Sequence, residues 1–203
     1  MHVQIGLLAL DPSKLDGAVH YVVDEARPKV EGEPGCLGFS VLTNAEVGVV
    51  IVESFWVSGD ALREAERIIA PVREEAARRG AGTVSVERFE VVSSVRVARP
   101  QAGGAVRLTR VDTPPARVDE AITAYEDTAV PWLTEADGFT AALVFADRRT
   151  GRSISETLWR DREALAASRA AAAAIRVDAV AATGSAIRAV EEYLLAFNSF
   201  EPA

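Results

Sequence analysis

Side chains able to do chemistry are few in this 203-residue chain, and most are aromatic or acidic. Trp56 closes the stretch "VESFW" and Trp159 closes "SETLW". An indole is a large apolar body with one N–H to satisfy, so it serves either as core or as a platform for an aromatic ligand. Tyr125 falls on the apolar face of a helical pattern, where its phenol needs a hydrogen-bond partner from the protein or from a substrate. Glu53 and Glu156 lie on the strand parity opposite the two Trp. Inside a sheet sandwich such a carboxyl would have a raised pKa and could act as a base. Unpaired buried charge is costly, so the expected place for both is the rim, paired with an Arg such as Arg88 or Arg107. Cys36 is the only cysteine and has no nearby His to activate it, which makes it a structural thiol. His20 shares a helix face with Asp16, Asp24 and Arg27 and reads as solvated; His2 carries no signal. Two His and one Cys are too few soft ligands for a conventional zinc site, so no metal is expected.

The elements that must position these groups are written twice. Aligning Trp56 with Trp159 gives an offset of 103 that also pairs Ile51 with Ile154, Glu53 with Glu156 and Leu62 with Leu165. Asp16 and Asp119, and Pro28 and Pro131, obey the same spacing, while "VERFEV" (86–91) answers "VEEYLL" (190–195) at 104. Fixed self-similarity of this kind marks a duplicated structural unit. In the first unit, 3–10 reads as a strand and 13–30 as an amphipathic helix that Pro28 should bend or end. A hairpin follows at 37–43 and 47–57, then a helix at 60–79 with Asp60 as N-cap, then a strand at 83–97. The second unit repeats this order: strand 105–111, helix 116–130, hairpin 139–145 and 152–159, helix 162–182 and strand 186–199. "ARPQAGG" (98–104) is a linker, so the units are expected at 1–97 and 105–203. Strand-helix-strand-strand-helix-strand, twice, is the split βαβ order of ferredoxin-like folds, an α+β class with helices on one sheet face. The run "VGVVIV" (47–52) is apolar on both parities, as a strand buried on both faces must be. Two sheets packed face to face, an intrachain pseudo-dimer, would bury the second face.

Composition narrows the function classes. The chain is 49% hydrophobic and 26% charged, ordinary for a globular protein, with formal net charge −8. An acidic surface repels phosphate backbones and anionic lipid, so neither nucleic acid nor membrane is an expected partner. With one cysteine, no cationic leader and no bilayer-length apolar run, a cytoplasmic location is expected.

Several stretches resemble the antibiotic biosynthesis monooxygenase (ABM) domain of the dimeric α/β-barrel superfamily. They are "RPKVEGEPGCLGF" (27–39), "VVIVESFW" (49–56) and "GDAL" (59–62), then "VPWLTEADGF" (130–139), "ALVFADRRTGRSISETLW" (142–159), "DREAL" (161–165) and "VEEYLLAF" (190–197). The resemblance implies two fused ferredoxin-like units forming an α/β-barrel, each with a ligand cavity between sheet and helices. It also implies cofactor-independent oxygenation of a hydrophobic aromatic or polyketide-like molecule, with Trp56 and Trp159 on the substrate-orienting strand; from its own place on the helix, Tyr125 would hydrogen-bond such a substrate. Haem-degrading members pair a first-strand Asn with a second-helix His. The segments 3–10, 105–111, 60–79 and 162–182 supply neither, so no haem or other cofactor is expected. The Ala-rich helix 163–182 leaves room beneath it, which places the expected cavity in the second unit. A non-catalytic small-molecule-binding or interaction protein on the same barrel is the alternative, and further pairing between chains is left open.

Overall fold

β1 (His2–Ala9), β2 (Cys36–Asn44) and β3 (Val49–Trp56) form the heart of the first unit, with β3 in the middle. β1 runs antiparallel to β3 from His2 opposite Trp56 to Ala9 opposite Val49, and β2 pairs with the other edge of β3. In the computed structural model, which describes residues 1–201, the chain divides into two compact units. The first comprises Met1–Arg88 and Leu194–Glu201; the second comprises Phe89–Tyr193. The first unit therefore includes the start of β4 (Thr83–Arg96) and the end of β8 (Ala186–Asn198), whose last residues pair with β2.

Alternation explains which residues face the helices. Val50 and Trp56 of β3 belong to a core with Leu8, Val22, Leu62 and Ile69, on the face covered by the helices. The other parity, Ile51, Glu53 and Phe55, is equally buried. This is the doubly buried strand that its continuous apolar run requires.

The first helical passage is α1 (Leu15–Tyr21), a π-helical turn over Val22–Ala26, and α2 (Arg27–Glu31). Pro28 neither ends this helix nor kinks it freely. It lacks an N–H and its ring crowds the carbonyl four residues back, and the wider turn just before it absorbs the mismatch. α3 (Gly59–Arg79) starts one residue earlier than its expected cap: Ser58, not Asp60, accepts the Ala61 N–H at 3.2 Å. The reason is backbone shape, since Ser58 is extended and Asp60 is already inside the first turn.

In the second unit, β5 (Ala105–Asp112), β6 (Phe139–Asp147) and β7 (Arg152–Trp159) repeat the pattern with β7 central. The final residues of β4 pair with β6. α4 (Val118–Glu135) covers this sheet together with α5 (Arg162–Ala167) and α6 (Arg169–Thr183). The single helix expected over 162–182 is thus two segments. Ser168 separates them and turns its hydroxyl back to the Leu165 carbonyl at 2.7 Å. Gly151 closes the β6–β7 hairpin at φ +78°, and a Cβ there would lie 1.8 Å from the Thr113 carbonyl oxygen. In each unit the middle strand is hydrogen-bonded to a neighbour on either side, the antiparallel α+β arrangement of ferredoxin-like units. Among the described residues no helix is long and apolar enough to cross a membrane.

Candidate functional site

The two helix–sheet clefts have the same parts and different contents. On the helix-facing parity of β1 and β3 the first unit presents Gln4, Gly6, Leu8, Val50, Val52, Ser54 and Trp56. The second unit presents Arg107, Thr109, Val111, Ser153, Ser155, Thr157 and Trp159 at the equivalent places. Three positions that are apolar or glycine in the first cleft, Gly6, Val50 and Val52, are hydroxyl side chains in the second. Ile69, a large side chain in the first core, is answered by Ala172, while Val22 is answered by Tyr125.

The consequence is space. The first cleft retains about 40 Å³, walled largely by aliphatic side chains. The second holds a cavity of about 120 Å³ beneath α4 and α6, lined by Thr109, Tyr125, Ser153, Ser155, Ile175 and Arg176 among others. A further pocket of about 50 Å³ shares Thr109, Tyr125, Ser155, Ile175 and Arg176 with it and extends to Trp132 and Trp159. An apolar cavity of about 150 Å³ takes a benzene ring, so this space suits about one ring with a short substituent.

Tyr125 and Trp159 are therefore brought together, and Trp56 lies in the other unit. The Tyr125 hydroxyl is buried and has no hydrogen-bond partner. Burial pushes its pKa well above the ordinary phenol value, so it stays a neutral donor. Trp159 is 2% exposed and gives its indole N–H to Thr157 Oγ1 at 3.0 Å. Its ring meets Phe139 edge-on at 5.7 Å and Trp132 at 6.3 Å. Trp56 repeats the indole contact with Ser54 Oγ at 3.0 Å, but it is fully buried in the first core and is not part of that unit's cavity wall.

Glu53 and Glu156 do not sit at a rim. They are 0% and 1% exposed, on the sheet face turned away from the helices. Nor do the expected arginines serve them. Arg88 donates to Gln4 at 2.8 Å and pairs with Glu66 at 3.1 Å. Arg107 is itself buried, giving hydrogen bonds to Ser168 Oγ and the Leu165 carbonyl at 2.9 Å each and pairing with Glu192 at 3.1 Å. Strict alternation decides this, because a β3 or β7 residue adjacent to a helix-facing hydroxyl must point the other way. His20 is exposed and pairs with Asp24 at 2.9 Å, and Cys36 is half-buried with its thiol pKa pushed up by burial. Among the described residues no three of His, Cys, Asp and Glu are grouped as metal ligands would be.

Residues 1–67 match the family model for antibiotic biosynthesis monooxygenase. The first unit is thus similar to the ABM domain, and the second unit repeats its order of strands and helices. The chain is 29% identical over 170 residues to the uncharacterized protein Rv2557 of Mycobacterium tuberculosis, covering 84% of this chain and 76% of that one. It is 28% identical over 186 residues to uncharacterized Rv2558 of the same organism, covering 91% and 79%. Among solved structures, an anthrone oxidase-like protein superposes with TM-score 0.68 at 18% identity, covering 97% of this chain and 92% of that one. A monooxygenase-like protein from Listeria innocua gives 0.59 at 10% identity, covering 96% and 94%. At such identities the likeness to these solved structures is one of fold. The family match falls in the first unit, whereas the larger cavity lies in the second.

Proposed function

We propose that the chain is a cofactor-independent monooxygenase whose working cleft is the cavity of the second unit, and that its substrate is a small aromatic carbon acid. The observation that carries this reading is the buried, unpartnered Tyr125 hydroxyl on the wall of a cavity that also reaches Trp159. Trp159 supplies an aromatic wall, and Tyr125 donates to the oxygen of an enolate or phenolate. Trp56 holds the same strand position in a unit that serves as structural partner. In the reaction the substrate loses a C–H proton and its carbanion reduces dioxygen with formation of a C–O bond. The resulting hydroperoxide loses water, so that CH₂ and O₂ become C=O and H₂O. No carboxylate or imidazole lines the cavity, so the substrate must be acidic enough to ionise near neutral pH. The protein then contributes a dry pocket and a fixed donor.

Dioxygen uptake with 1,3-indandione tests the reading. Uptake by the wild-type chain that falls at least tenfold in Trp159→Ala and Tyr125→Phe is expected. No uptake would leave the second reading, a binding protein without turnover. That reading draws on the same wall of hydroxyls and one guanidinium, which can hold a ligand without any base.

A further inference from the structure

The duplication supplies an internal control for the charge in the second cleft. At the spacing of 103, Gln4, Glu66 and Arg73 correspond to Arg107, Arg169 and Arg176. At the spacing of 104 that holds in the last strand, Arg88 corresponds to Glu192. In the first unit these four side chains form a closed set. One oxygen of Glu66 accepts from Arg73 at 3.0 Å, the other pairs with Arg88 at 3.1 Å, and Arg88 donates onward to Gln4 at 2.8 Å. Every cation there has a carboxylate.

In the second unit the glutamate position has become Arg169 and the glutamine position Arg107, so three guanidinium groups surround one carboxylate. Glu192 pairs with Arg107 at 3.1 Å and with Arg169 at 2.5 Å. Arg176 remains. Among the described residues it makes no hydrogen bond or ion pair. It is half-buried and lines both pockets of the cleft beside Tyr125. Its equivalent, Arg73, is ion-paired with Glu66 in its own unit, so a guanidinium without any ion pair is particular to the cleft that has space. This local excess of positive charge stands in a chain whose formal net charge is −8.

We propose that this cavity binds a small carboxylate with an apolar body of about one ring, and that Arg176 is its anchoring group. The proposal rests on the cavity being the ligand site and holds whether or not the ligand is oxygenated. A guanidinium presents a planar fork that matches a carboxylate through two parallel hydrogen bonds, and partial burial strengthens them. Burial, and then the neighbouring charge of Arg107, lower the Arg176 pKa, with Glu192 acting in the opposite sense. An arriving anion relieves both unfavourable effects. The Tyr125 hydroxyl, which lacks a protein acceptor, offers a further donor on the same wall. The aliphatic side chains Val111, Ile122 and Val144 leave the rest of the ligand in apolar surroundings.

Calorimetric titration of the full chain with benzoate and cinnamate, each against its uncharged amide, tests this at fixed ionic strength. The wild type should prefer each acid over its amide by roughly tenfold to a hundredfold, the range of a charge-assisted contact. Arg176→Gln should abolish the preference, and Arg73→Gln should leave it intact. Arg176→Lys, which keeps the charge and loses the fork, should retain a reduced preference, and thermal melts verify that each variant folds. Equal binding of acid and amide by the wild type, or an undiminished preference in Arg176→Gln, overturns the anion site and leaves the cavity as ligand site. Binding of neither ring by the wild type overturns both.

Discussion

Replacing Tyr125 by Phe should make the ligand-free protein more stable. The hydroxyl oxygen is buried and has no hydrogen-bond partner. Burying such a group unpaired costs about 1–3 kcal/mol on scales drawn from protein mutations. The adjoining space of about 120 Å³ is roomy enough to admit water, which recovers part of that cost. The expected net gain is about 1 kcal/mol, or a rise in Tm of about 2–4 °C for a chain of this size. Thermal melts followed by circular dichroism, paired with urea titrations, measure it. The same variant should bind or turn over its ligand at least tenfold less well, so stability and function move in opposite directions. A drop in Tm of more than about 3 °C would refute the reasoning. It would mean that the hydroxyl already has a stabilising partner and is not held in reserve for a ligand.

Three further outcomes follow from other parts of the second unit. Arg107→Gln, which installs the residue found at the equivalent Gln4, removes hydrogen bonds to Ser168 and Leu165 from a buried site. It should cost about 2–3 kcal/mol and raise hydrogen exchange over 162–169; a Tm within about 2 °C of wild type with unchanged exchange would show that Arg107 does not tether α5. Gly151→Ala forces a side chain into a left-handed turn against the Thr113 carbonyl. Left-handed backbone alone costs about 1–2 kcal/mol, and a stability equal to wild type by urea titration would contradict the turn geometry. Tyr125 and Tyr193 both have raised pKa values through burial, Tyr193 to about 12. A phenol that ionises near 10 when unfolded and only above that when folded keeps its proton longer in the native state. Stability should therefore fall as pH rises above about 10, and less steeply in Tyr193→Phe; a stability flat from pH 9 to 12 contradicts this.

The repeat made most of the fold legible in the sequence, because an offset of 103 carried strands, helices and their apolar faces together. What escaped was governed by short-range geometry. Asp60 looked like a cap by residue type, but only Ser58 has the extended backbone that aims an oxygen at the first turn. Pro28 looked like a helix end because a π turn leaves no mark in residue type. Glu53 and Glu156 were expected at a rim on grounds of charge, and strict alternation buries them instead. The cavity in the second unit was legible from small side chains alone, since alanine at 172 replaces isoleucine at 69. Arg107 was read only as a rim partner for a glutamate and Arg176 was not singled out, because an isolated arginine in an amphipathic pattern reads as solvated. The signal was present nonetheless: at the repeat spacing, Gln4 becomes Arg107 and Glu66 becomes Arg169, two changes toward positive charge around the conserved pair Arg73 and Arg176. Comparing charge between the repeats, rather than hydrophobicity, would have found it.

The central claim is that the cleft of the second unit, not that of the first, is where this ABM-like chain meets its small molecule. Chemical-shift mapping of the ¹⁵N-labelled chain during titration with 1,3-indandione and, separately, benzoate tests it most directly. The account predicts that the largest shifts cluster at Thr109, Tyr125, Ser155, Ile175 and Arg176, around the larger cavity. Shifts centred on Val22, Ile69 and Val72 of the first unit's cleft would contradict it.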